Sequence, residues 1–70
     1  MTPLPTMGPE EFRQIRRELG KTQTEMAAIM GAGLRTVTHW ENGDREIPGP
    51  AVVLARLLAR LAKDKKISAG

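Results

Sequence analysis

The stretch Thr22–Gly43, TQTEMAAIMGAGLRTVTHWENG, constrains the fold more than any other part of the chain. Thr22 suits a helix N-cap, because its hydroxyl can accept from a backbone amide of the first turn. Glu25 stands three residues later and can reach back to the Thr22 amide, which completes a capping box just ahead of apolar residues. Met26, Ala27 and Met30 then fall at helical spacing on one face. Gly31-Ala32-Gly33 breaks the pattern, and Gly31 can take the positive φ of the position just past a helix end. A second helix is expected from near Gly33 through Asn42, with Gly43 as its stop. Val37 and Trp40 turn inward at i, i+3, which leaves Arg35, Thr36, Thr38 and His39 for the outer face.

The rest of the chain frames these two helices. Gly8-Pro9-Glu10-Glu11 reads as a helix start, with proline at the first turn and acids near the positive end of the dipole. Nothing nearby would hold or tune the paired carboxylates for acid–base chemistry. Phe12, Ile15 and Leu19 make the buried stripe of this first helix, Gly20 ends it, and Arg13, Arg16, Arg17 and Lys21 make its other faces basic. After Gly43, residues 44–48 form a connector in which Ile47 is the expected plug into the core. Gly49-Pro50 repeats the device of Gly8-Pro9 and opens a last helix of about 50–63.

That last helix is unusually apolar. Val53, Leu54, Leu57, Leu58 and Leu61 are read as its core stripe, and Arg56, Arg60 and Lys63 as its polar one. Between them lies a strip of Val52, Ala55, Ala59 and Ala62. A helix apolar on both flanks exceeds what one small domain needs, so Val52, Ala55 and Ala59 are expected at a dimer interface. The fold class is all-α: four helices, with at most a stub of a fifth. The expected division is a flexible arm over 1–8, one domain over 9–63 and a flexible tail over 64–70. The arm has two prolines and no Arg or Lys, so it does not suit the minor groove.

Composition narrows the function. Seventy residues allow one domain. With no cysteine there is neither a disulfide nor a thiolate metal site. His39 is the only histidine, so neither a zinc site nor a Ser-His-Asp hydrolase is credible, and no catalytic residue, metal or cofactor is expected. There is no long apolar run and no signal-peptide pattern, which points to a cytoplasmic protein without a membrane partner. The formal charge of +3 favours an anionic partner without identifying it. The scarcity of aromatics argues against a single-strand binder, which needs stacking platforms.

TQ-x-E-M-A-x-x-M-G followed by T-V-x-x-W-E-N-G resembles the helix-turn-helix of the Cro and phage-repressor-like (XRE) family, and the likeness extends over roughly Pro9 to Leu61. The resemblance implies a lambda-repressor-like fold whose second motif helix enters the major groove of double-stranded DNA while the first crosses the backbone. It makes Leu34, Arg35, Thr38 and His39 candidate base readers. Arg35 has the fork that suits guanine O6 and N7, Leu34 can pack on a thymine methyl or merely shape the fit, and His39 can bond a purine N7 or a phosphate. It makes Gln23, Thr36, Asn42 and Arg45 candidate phosphate contacts. It pairs Arg16 with Glu41 as a structural salt bridge and leaves Trp40 in the core. The segment after Gly43 departs from the family by placing Asp44 and Glu46 around Arg45, which leaves little positive charge for a monomer to bind tightly.

The expected function is a sequence-specific transcriptional regulator, a repressor acting as a homodimer on an inverted-repeat operator. Two other readings stay open. An antitoxin would bind its own operator and a toxin, and only the short terminal segments would serve the toxin. A protein-interaction module without DNA binding would use the apolar last helix.

Overall fold

The computed structural model describes residues 5–69, with side chains through Asp64. It contains four helices: α1 Pro9–Glu18, α2 Gln23–Met30, α3 Leu34–Asn42 and α4 Gly49–Ala69. No strand occurs among the described residues.

Local chemistry sets the boundaries. α1 opens with Pro9 in its first turn and Glu10 and Glu11 behind it. At Thr22 both halves of the capping box form: the Glu25 amide donates to Thr22 Oγ1 at 3.1 Å, and the Thr22 amide donates to Glu25 Oε1 at 2.9 Å. α1, α2 and α3 all close on the same Schellman pattern. Its long bond runs from Lys21 N–H to Arg16 C=O at 3.1 Å, from Ala32 to Ala27 at 2.9 Å, and from Asp44 to His39 at 2.9 Å. The glycine at the turn takes φ +68° at Gly31 and +81° at Gly43, where a side chain is disfavoured.

One core joins all four helices: Phe12 and Ile15 of α1, Met26 and Ala27 of α2, Val37 and Trp40 of α3, Val52 and Ala55 of α4, and Ile47 of the connector. Phe12 meets Trp40 edge to face, with centroids 5.6 Å apart. Met7 packs on this core from the N-terminal side, and Arg56 clamps the same segment by donating to the Thr6 carbonyl at 2.8 Å and to Glu11 Oε2 at 3.1 Å. Residues 5–8 of the expected arm therefore lie against the domain, and residues 1–4 fall outside the described ones.

The structure corrects the faces of α4. Val52 and Ala55, expected at a dimer interface, are completely buried in the core, and Ala59 packs at its edge. Val53, Leu57 and Leu61, expected inside, are 55 %, 49 % and 56 % exposed. α4 lies against α1 and α2, and small residues on the packed side let the helices approach closely. α4 also continues past Lys63 to Ala69, so the segment expected as a separate tail is helical.

Candidate nucleic-acid interface

The outward face of α3 is set by what its other face buries. Val37, Trp40 and Glu41 point inward. At 3.6 residues per turn, Arg35, His39 and Asn42 then run up the opposite side at i, i+4, i+7. Leu34 and Thr38 flank that stripe on one side and Thr36 on the other. Leu34 is 47 % exposed, and Arg35 and Asn42 are exposed. Thr36, Thr38 and His39 are half-buried. Arg35 and Arg45 make no side-chain hydrogen bond or ion pair among the described residues, so their guanidinium donors remain available to a ligand. The Thr38 hydroxyl donates to the Leu34 carbonyl at 2.9 Å, which turns its methyl and its lone pairs outward.

What holds this helix in place is a carboxylate. Glu41 is 2 % exposed, the one buried charged residue among the described ones. Arg16 grips it with two hydrogen bonds, Nε to Oε2 at 2.6 Å and Nη2 to Oε1 at 3.0 Å. Gln23 Nε2 donates to Oε1 at 3.2 Å, and Arg13 Nη2 donates to the Glu41 backbone carbonyl at 2.7 Å. Burial is the largest single influence on the Glu41 carboxyl and pushes its pKa up. The bonds from Arg16 and Gln23 and the charges of Arg16 and Arg13 together outweigh burial, so the net pKa lies below the usual carboxylate range. The bond to Glu41 also raises the pKa of Arg16. Three helices thus converge on one side chain: α1 through Arg13 and Arg16, α2 through Gln23, and α3 through Glu41 itself. Any shift of α3 against α1 and α2 would break charge-assisted bonds.

Some of these features escape sequence reasoning. Gln23, a candidate phosphate contact, commits one amide hydrogen to Glu41 and keeps the other. His39 Nδ1 lies 3.2 Å from Asp44 Oδ2, a pair five residues apart that helical periodicity alone does not bring together. The Schellman closure at Gly43 was the available signal, since it sets the residue after the glycine beside the helix's last turn.

The motif has a glycine-bearing turn between α2 and α3, an outward-facing arginine on α3, and an internal carboxylate locking both helices to α1. A helix-turn-helix family model of the Cro and C1 (XRE) type matches residues 12–63. The chain belongs to this family. XRE-type helix-turn-helix proteins are DNA-binding transcription regulators, and membership supports double-stranded DNA as the partner of this domain. No curated protein and no solved structure gives a significant match. Among the described residues no helix is long and apolar enough to cross a membrane, and no cluster of His, Cys, Asp or Glu could hold a metal ion.

Proposed function

We propose that this XRE-type domain is a sequence-specific transcriptional repressor that binds an inverted-repeat operator as a homodimer. The observation that carries the proposal is Arg35: exposed, unpartnered among the described residues, and in the first turn of a helix braced against two others. A guanidinium so presented can take guanine O6 and N7 together, the commonest specific contact in the major groove. Leu34 and Thr38 beside it offer apolar contact to a thymine methyl. Asn42, Thr36, Arg45 and the free amide hydrogen of Gln23 are the proposed phosphate contacts.

The charge distribution favours two copies. Arg13, Arg16 and Arg56 are committed to internal acceptors, so only part of the basic complement can neutralise phosphates. Pairing two domains doubles the phosphate contacts and reads two half-sites about one helical turn, ~34 Å, apart. The surface proposed for pairing is the exposed strip Val53, Leu57 and Leu61, at i, i+4, i+8 on α4. Occupying an operator blocks polymerase, hence repression.

Selection from a randomised duplex library at moderate salt tests this. An enriched inverted repeat is expected, and its spacing gives the dimer geometry. Retention without an enriched motif would refute sequence specificity, and no retention would refute DNA binding.

A further inference from the structure

Asp44 is an acid at the edge of a surface that meets phosphate, yet it is held there firmly. The backbone does the holding. In a Schellman closure the third-last helical position and the second residue beyond the helix are drawn side by side, and their side chains usually make an apolar contact. Here the two are His39 and Asp44. The Asp44 amide donates to the His39 carbonyl at 2.9 Å, and the side chains then meet with His39 Nδ1 3.2 Å from Asp44 Oδ2.

An ionised carboxylate can only accept, so this hydrogen bond requires the proton on Nδ1. In a neutral imidazole the other nitrogen, Nε2, then carries a lone pair. We infer that Asp44 is a positioning residue that fixes His39 in the Nδ1–H tautomer and so makes His39 an acceptor toward the groove, selecting the exocyclic amine of adenine or cytosine. Adenine N6 and cytosine N4 are donors in the major groove, whereas guanine shows only the acceptors N7 and O6. The same histidine with its proton on Nε2 would be a donor and would address acceptors instead, N7 and O6 of guanine, O4 of thymine or N7 of adenine. Arg35, one turn earlier, is purely a donor, so the two readers address opposite base chemistries from one stripe. This inference rests on the DNA-binding reading and adds to it which edge His39 recognises.

The test has two arms. In the free protein, long-range proton–nitrogen correlation spectra, recorded above the ordinary titration range of histidine, report which ring nitrogen carries the proton. The wild type is expected to carry it on Nδ1, and Asp44→Ala to move it wholly or partly to Nε2. An unchanged tautomer overturns the inference. In the second arm, duplex selection is run in parallel on wild type, Asp44→Ala and His39→Ala. The wild type should enrich adenine or cytosine at one half-site position where His39→Ala shows no preference. Asp44→Ala should shift that position away from adenine and cytosine, toward guanine or thymine, by about fivefold, the scale of one hydrogen bond, and leave the others alone. A uniform loss of affinity with unchanged preference would make Asp44 a helix-end residue only and overturn the inference. A wild type that retains no duplex overturns the DNA-binding reading itself, while the spectra of the free protein still decide the tautomer.

Discussion

Replacing Glu41 with alanine should be the most damaging change available outside the apolar core. The substitution removes the common acceptor of Arg16 and Gln23 and the carboxylate beside Arg13, which keeps its bond to the backbone carbonyl of residue 41. Arg13 is 37 % exposed and can turn to water, whereas the Arg16 side chain is only 16 % exposed and would be left a largely desolvated cation. Removing one member of a buried pair costs about 3–5 kcal/mol. A chain of this length has a total stability of roughly 4–10 kcal/mol. The loss is therefore a large share of the whole, and the melting temperature should fall by about 12 °C or more. Urea denaturation followed through Trp40, the only tryptophan, reads the change next to the site. Replacing Arg16 and Glu41 together by methionine should cost much less than Glu41→Ala alone, because the orphaned charge is gone. A loss below about 1 kcal/mol for Glu41→Ala would refute the reasoning, since the pair would then behave as an exposed one. Acid gives an independent check. The folded carboxyl titrates below its unfolded value, so its contribution is complete above the unfolded pKa of about 4.3 and fades as pH falls through the folded one. Glu25 is also held low, first by its bond from the Thr22 backbone, but it is exposed. The difference between wild type and Glu41→Gln below about pH 5 therefore isolates Glu41.

Arg35→Ala should weaken operator binding by roughly 1–3 kcal/mol and relax preference at one base position, read by duplex selection; unchanged preference everywhere would remove Arg35 as a reader. Leu57→Glu should lower the association constant in sedimentation while leaving the urea midpoint of the monomer nearly unchanged, because Leu57 is half exposed. Val52→Glu should instead unfold the domain, since Val52 is fully buried and an unpaired carboxylate there has no acceptable partner. Gly31→Ala should cost about 1–2 kcal/mol by thermal denaturation, from the left-handed backbone alone, because an added Cβ would meet no atom within 4 Å.

The boundaries of α1, α2 and α3 were legible because each is written in local chemistry. Thr22 and Glu25 can satisfy one another wherever the chain goes next, and Gly20, Gly31 and Gly43 take a conformation that other residues disfavour. Phe12, Ile15, Val37, Trp40 and Ile47 were legible as core because on α1, α3 and the connector only one side is apolar enough to bury, and Met26 because it follows the capping box at helical spacing with Met30, although Ile29 of the same helix stays exposed. α4 offered no such contrast. Val52, Ala55 and Ala59 make one helical stripe and Val53, Leu57 and Leu61 make another, and both are apolar. Size suggested the leucines for the core, but α4 turns Val52 and Ala55 toward α1 and α2, with Leu58 and Ala59 at the edge, and leaves Val53, Leu57 and Leu61 outside.

By itself, then, the sequence determined where α1, α2 and α3 start and stop, their buried faces, and the outward display of Arg35, Thr36, Thr38 and His39. These follow from capping, backbone conformation and periodicity, which act within a few residues. Tertiary structure alone decided which face of α4 is buried, that Arg13 and Gln23 join Arg16 on Glu41, and that Arg56 clamps the segment before α1. Those outcomes depend on distances between helices far apart in the chain, where packing volume and desolvation choose among arrangements that the local pattern leaves equal.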